Sequence, residues 1–241
     1  MFEGRHLIIF DMDGTLIDSV GIWNRVDEDL VGKLSGGTWR VGEDLQAQRD
    51  AMLRKYSSCG DPYREYCAFL GRKYGSPLSG EAIHALRYEI SQRFLREEVD
   101  YKPFAADFVK ALSRRGFQCA IATTTRKANM DIYRTANRNI LSKAPVDRYF
   151  SPVLTREDVK EIKPNPEVFL RVMAACSAAP GECLVFEDSL TGVEAARRAG
   201  IDVAVMYDRH SDGERKAINA LAQYRFGGFT EALAALEREL P

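Results

Sequence analysis

The sequence predicts an α/β fold in which a parallel sheet covered by helices is interrupted, just after its first strand, by an all-α insert. Three observations lead there. The apolar run Leu7 to Phe10 stops on Asp11-Met12-Asp13-Gly14, as a short buried strand stops at a turn. A long stretch of helical periodicity then follows Ser19. From about residue 100 onward strand and helix patterns alternate, the signature of βαβ units and a parallel sheet. The expected organisation is a core made of residues 1–18 and 100–241, with residues 19–99 as the inserted helical domain.

Taken in order, the first strand ends with Asp11 and Asp13 on one side, because side chains alternate along a strand. In the insert, Ile22, Val26, Leu30 and Leu34 recur every fourth position and form one apolar helical stripe. A polar break, Ser35-Gly36-Gly37-Thr38, precedes Trp39 and Arg40. Further stripes are Leu45, Met52 and Tyr56; Tyr63, Tyr66 and Leu70; and Ile83, Leu86, Ile90 and Phe94. Turn signals at Cys59-Gly60-Asp61-Pro62 and Gly75-Ser76-Pro77 separate them. Pro103 is expected to start a helix with the stripe Phe104, Phe108, Ala111 and Leu112, closed by Gly116. Phe117 to Ala122 reads as the second strand, running into Thr123-Thr124-Thr125, and Tyr149 to Leu154 as the third. Asn165 and Pro166 read as the N-cap and first residue of a helix carrying Val168, Phe169, Val172, Met173 and Cys176. Leu184 to Phe186 is the fourth strand, ending on Glu187-Asp188-Ser189, and Val203 to Met206 the fifth.

The chain has 241 residues, enough for a substantial core. With a net charge of -1 and a pI of about 6.4, it carries no basic field that would argue for a nucleic-acid or membrane partner. No apolar stretch approaches the roughly 20 residues that span a bilayer, and nothing at the start resembles a signal peptide. A cytoplasmic protein, monomeric or a small homo-oligomer, is expected. Cys59, Cys67, Cys119, Cys176 and Cys183 are scattered with no CxxC pair. They read as reduced thiols rather than metal ligands or disulfides.

In open parallel sheets, ligands bind beyond the carboxyl ends of the strands. Asp11 with Asp13, Thr123 with Thr124, and Glu187 with Asp188 all fall at such ends, and Lys163-Pro164 enters a helix. Two carboxylates at the mouth of a buried strand repel each other unless a positive group or a proton lies between them. Each cluster also has a bland explanation. Asp-x-Asp-Gly suits an Asx turn, Thr123 an ordinary strand end, Lys163 a solvated lysine, and Asp188-Ser189 a helix cap. Together they supply carboxylates, hydroxyls and one ammonium with no His or Cys, a set suited to a hard cation such as Mg²⁺ and a phosphoryl group. His6, His84 and His210 read as bystanders.

The motifs Asp11-Met-Asp13-Gly-Thr15, Thr123, Lys163-Pro164, and Glu187-Asp188-Ser189-x-x-Gly192 followed by Ala195-Ala196-x-x-Ala199-Gly200 resemble, in order, the four motifs of the haloacid dehalogenase-like hydrolase superfamily. The insert resembles the helical cap of its phosphatase and phosphoglucomutase branch. That resemblance implies a Rossmann-like three-layer core and a Mg²⁺-dependent phosphomonoester hydrolase acting on a small phosphorylated metabolite, including the sugar phosphates. By the same resemblance Asp11 would be the nucleophile that forms an aspartyl-phosphate. Asp13 would be the general acid and then the base. Mg²⁺ would be held by Asp11, Asp188 and the backbone carbonyl of Asp13, with Glu187 behind it or as an outer ligand. Thr123, the amide of Thr124, Lys163 and the turn at Gly14 would bind the phosphoryl group.

The sequence also departs from that pattern. Ile162 stands where this branch commonly has Gly, and Trp23 where the mutase branch has a His. Trp23, Trp39 and Arg40 are candidates for substrate contact from the cap. The 125–149 connection is longer than usual and is expected to be an elaboration at the sheet edge, with an oligomer contact as one role for it. A sugar phosphomutase is the alternative reading. A dehalogenase is disfavoured because that chemistry has no alkoxide for Asp13 to protonate. A phospho-accepting signalling module would lack the helical insert.

Overall fold

A computed structural model describes residues 1–37, 44–56 and 62–240. Thr38, Trp39, Arg40, Cys59 and the Gly60-Asp61 turn, all singled out above, lie outside the described residues. The chain divides into two compact units, Met1–Val20 with Arg96–Pro241, and Gly21–Leu95.

The first unit is built on a parallel sheet of six strands among the described residues: β1 (Leu7–Phe10), β2 (Gln118–Ala122), β3 (Val153–Leu154), β4 (Cys183–Glu187), β5 (Asp202–Met206) and β6 (Tyr224–Phe226). Their order across the sheet is β3-β2-β1-β4-β5-β6. Each strand added after β1 extends one edge until β4, which returns to pair with β1 on its other side, Leu7 opposite Cys183 and Phe10 opposite Phe186. Chain direction across the sheet therefore reverses between β1 and β4, and this is where such a sheet opens a crevice at its carboxyl end.

β1 is buried along its whole length because both sheet faces are covered, which explains why it reads as a continuous apolar run rather than an alternating one. Leu7 and Ile9 join Val185, Val203, Val172, Val193 and their neighbours in one core layer. On the other face Phe10 stacks on Phe186 with ring centroids 5.1 Å apart, and Phe108 meets Phe186 at 5.2 Å and Phe229 at 5.5 Å. Helices α9 (Glu167–Cys176) and α10 (Leu190–Arg198) supply the first layer; α5 (Ala105–Arg114) and α12 (Phe229–Glu239) supply the second. Buried Ala195, Ala196 and Ala199 belong to the first layer.

Several local expectations change. Only Val153 and Leu154 pair as β3, because the preceding residues 146–149 form a helical turn and Pro152 has no N–H to give a ladder. The carbonyl of Pro152 still accepts from Ile121 N at 3.0 Å. Phe104 is not part of the buried stripe. It precedes α5 with φ +64 and is 54% exposed, while Phe108, Ala111 and Leu112 are buried. Gly116 does take a positive φ of 82° just past the helix end, as a terminating glycine should. α9 starts one residue later than predicted, with Asn165 Oδ1 accepting from Glu167 N at 2.9 Å. β6 is additional to the strands predicted, since Arg225 breaks its short apolar run.

The 125–149 connection folds into α6 (Lys127–Thr135), α7 (Arg138–Lys143) and α8 (Val146–Tyr149). It is pinned within the chain. Asn137 caps α7 by accepting from Ile140 N at 2.8 Å and donates to Val99 O at 2.9 Å, and the Tyr101 hydroxyl donates to Ala144 O at 2.7 Å. α11 (Arg215–Leu221) lies between β5 and β6. The four described cysteines, Cys67, Cys119, Cys176 and Cys183, are free thiols, and no described helix is long and apolar enough to cross a membrane.

The second unit holds α1 (Ile22–Leu34), α2 (Leu45–Lys55), α3 (Pro62–Lys73) and most of α4 (Gly80–Glu97). Its predicted stripe Ile22, Val26, Leu30 and Leu34 is buried, as are Tyr66, Leu70, Ile83, Ile90 and Phe94. A charged group shares that interior. Fully buried Asp27 accepts from Arg49 Nη1 at 2.6 Å and from Arg87 Nε at 2.8 Å. The Arg87 guanidinium lies over Tyr63 at 4.9 Å and over Trp23 at 5.7 Å, so Trp23 packs inside its own unit. Removing one partner of a buried charge pair leaves the others uncompensated. Asp27→Asn should therefore destabilise the protein by about 3–5 kcal/mol, read as a lower denaturant midpoint. An unchanged midpoint would show that the two arginines do not need the carboxylate.

Candidate active site

The chain places its polar clusters at the sheet's switch point for a simple topological reason: β1 and β4 are neighbours, so the residues that follow them are neighbours too. Asp11 follows β1 and donates its backbone N–H to Phe186 O at 3.0 Å. Glu187 ends β4, and Asp188 follows it. Lys163, from the loop before α9, is buried between them. Its Nζ donates to Asp11 Oδ1 at 2.6 Å and to Glu187 Oε1 at 2.6 Å.

The other oxygen of Glu187 accepts from Asp188 N at 3.0 Å, Ser189 N at 3.1 Å and Ser189 Oγ at 3.0 Å. This carboxylate is thus committed to holding Lys163 and the start of α10. Ser189 also caps that helix by accepting from Gly192 N at 3.1 Å, so the bland reading of Ser189 is correct and coexists with the site. Asp188 Oδ1 accepts from Thr15 Oγ1 at 2.7 Å, and Ser211 Oγ stands 3.4 Å from Oδ2. Gly14 has φ +82, and a Cβ there would lie 2.6 Å from Asp188 Oδ2. The motif glycine is therefore required both for its backbone angle and for its lack of a side chain.

Burial pushes Asp11 well above the usual carboxylate range, against the pull of Lys163 and with added repulsion from Glu187 and Asp188. Burial and then Glu187 push Asp188 up to about 7. Lys163 is the opposite case. Burial would neutralise it, but Asp11 and Glu187 hold it protonated, above its ordinary value. Two buried carboxylates thus share one ammonium, a third lies beside them, and oxygens of Asp11, Glu187 and Asp188 lie within 4.8 Å of one another. A compact all-oxygen set with surplus negative charge fits a hard divalent cation. Asp11 and Asp188 are the side chains suited to ligate it, because Glu187 is already saturated by Lys163 and α10.

Asp13 is only half buried and is not a member of that trio, although it lines the same cavity. Its carboxylate accepts from Ser19 Oγ on one oxygen and Thr125 Oγ1 on the other. The buried phenol of Tyr133 hydrogen-bonds to it as well, and burial followed by the Asp13 charge keeps that phenol protonated. Thr123 is buried with its hydroxyl turned to Thr125 Oγ1, 2.9 Å away, and accepting from Thr125 N at 3.1 Å. Thr124, rather than Thr123, lines the cavity, which has a volume of about 260 Å³ and is also lined by Asp11, Asp13, Lys163, Asp188 and His210. His210, read as a bystander, is thus a wall of the site. Tyr133 and Ser211 carry no recognisable signal in the sequence, whereas Thr15, Ser19 and Thr125 lie in or beside the motif stretches, where nothing local assigns them a role.

Comparison with known proteins points to one family. The family model for haloacid dehalogenase-like hydrolases matches residues 6–200. The phosphorylated carbohydrates phosphatase of Thermotoga maritima is 29% identical, over 81% of this chain and 82% of its own length. The fructose-1-phosphate phosphatase of Escherichia coli is 27% identical, over 84% and 96% respectively. A solved structure of a candidate beta-phosphoglucomutase from Thermotoga maritima superposes with a TM-score of 0.78 at 25% identity, covering 98% of this chain and all, 100%, of that one.

Proposed function

The chain belongs to the haloacid dehalogenase-like hydrolase family, and on that premise we propose that it is a Mg²⁺-dependent phosphatase of small phosphorylated sugars or related metabolites, working through an aspartyl-phosphate. The observation that carries this reading is the separation of the two motif carboxylates. Asp11 is paired with a buried ammonium, whereas Asp13 is surrounded by hydroxyls.

Lys163 keeps Asp11 fixed and partly neutralised, so that its free oxygen can attack phosphorus. As the bond to the leaving oxygen breaks, Asp13 gives that oxygen a proton. Asp13 then takes a proton from a water molecule, which attacks phosphorus and releases Asp11 and inorganic phosphate. Ser19, Thr125 and Tyr133 hold the Asp13 carboxyl in place through both transfers. Thr124 and Lys163 offer donors to the phosphoryl oxygens from the cavity wall. Asp11, Asp188 and the Asp13 carbonyl would hold the magnesium ion, which supplies charge to offset that of the incoming phosphate dianion.

The sugar class rests on the names of the Thermotoga and E. coli relatives and on a cavity sized for a small metabolite. A mutase reading draws on the structural similarity to a candidate beta-phosphoglucomutase, but Trp23 stands where that branch has its His. A panel of sugar phosphates distinguishes the two. The expected result is free phosphate from at least one of them, stopped by EDTA and restored by added Mg²⁺. Isomerised sugar phosphate without net release would favour the mutase, and release unaffected by EDTA would overturn the metal requirement.

A further inference from the structure

Asp188 is held from two sides by hydroxyls that belong to different segments, and one residue outside the four motifs ties both segments down. Thr15 Oγ1 reaches Asp188 Oδ1 from the turn after β1, and Ser211 Oγ stands 3.4 Å from Oδ2, at the long end of hydrogen bonding, from the segment after β5. The backbone N–H of Lys102 donates to Leu16 O at 2.8 Å, next to Thr15. Its Nζ donates to Asp208 Oδ2 at 2.7 Å. Asp208 organises the second segment. Its Oδ1 accepts from His210 N at 2.8 Å, and its carbonyl accepts from Ser211 N at 3.1 Å and from Arg215 Nη2 at 2.6 Å. Ser211 sits on a single 3-10 stretch, Arg209–Glu214, which has little stability of its own. Asp208 is buried, and although burial opposes its ionisation, the Lys102 ammonium and the His210 N–H keep the carboxyl below its usual range.

We propose that Lys102 is a positioning residue for the metal ligand Asp188: its backbone fixes the Thr15 turn, and its ammonium, through Asp208, fixes the Ser211 segment. The proposal rests on the phosphatase reading above, since it assigns Asp188 to the cation. Charge alone predicts the opposite effect. Removing an ammonium near a carboxylate cluster should tighten the binding of a divalent cation, whereas loosening the Ser211 segment should weaken it.

The test is Mg²⁺ binding to the full chain, measured calorimetrically without substrate. Lys102→Met, which keeps the backbone bond to Leu16, should raise the Mg²⁺ dissociation constant about tenfold, and Lys102→Arg should recover most of that loss. Ser211→Ala should weaken binding in the same direction. Adding Lys102→Met to it should cost less than the two single effects combined, as residues acting through one network do. Unchanged or tighter Mg²⁺ binding by a Lys102→Met protein whose melting temperature matches wild type would overturn the positioning role while leaving the phosphatase reading intact. Wild type that binds no Mg²⁺ yet releases phosphate would instead remove the metal on which both rest.

Discussion

Asp11→Asn should lower phosphate release by at least about 10⁴-fold, the scale seen when a nucleophile that acts as one unit with its neighbours is deleted. An amide of the same shape can still sit beside Lys163 but cannot form the acyl-phosphate bond. The fold should survive. Burial raises the pKa of Asp11, so its ionised form carries a desolvation cost that the neutral amide avoids. In metal-free buffer near neutral pH the variant should therefore melt no lower than wild type. A carboxyl with a raised folded-state pKa favours folding at low pH and loses that contribution as pH rises through the raised value. Loss of activity with an intact melting curve is the expected pair of results. Retained turnover would sink the covalent mechanism.

Gly192→Ala should have the next largest effect, although the residue touches no substrate. A Cβ at Gly192 would lie 1.7 Å from Glu187 Oε1, the oxygen that receives Lys163. Glu187 has no easy way to swing aside, because its other oxygen is held by Asp188 N and Ser189 N and would itself lie 2.3 Å from the added Cβ. Overpacking of this kind costs about 1–3 kcal/mol or more. Displacing Lys163 by about 1 Å should cost about 100-fold in turnover as well. The control is Gly181→Ala, where an added Cβ meets nothing within 4 Å. That variant should melt and turn over like wild type. If Gly192→Ala did the same, Glu187 would not be the anchor of Lys163.

Much of this was legible in the chain because each signal was local. Leu7 to Phe10 reads as a short buried strand from its own apolar run, and the change of period after Ser19 marks the insert without reference to anything distant. The four motifs, in order, point to Asp11, Asp13, Lys163 and Asp188 without any distance. Tyr149 to Leu154 reads as one strand on apolar content, but a helical turn over 146–149 and Pro152 leave only Val153 and Leu154 to pair. Phe104 fits the helical spacing, but the helix begins after it, at Ala105.

What the sequence determined alone was therefore the alternation of elements and the residue types that carry chemistry, since both are written in periodicity and in short motifs. Only tertiary structure decided which side chains meet. The pairing of β4 with β1 brings Glu187 to Asp11, and the end of β2 with the α6 that follows it brings Thr125 and Tyr133 to Asp13. Lys102 meets Asp208 about a hundred residues further along the chain, and Thr15 and Ser211 reach Asp188 from segments on opposite sides of it in the sequence. Hydrogen bonds fall off within a fraction of an ångström, so partners separated by a hundred residues leave no trace in sequence spacing. Their placement comes from strand order, which the chain settles only when it packs.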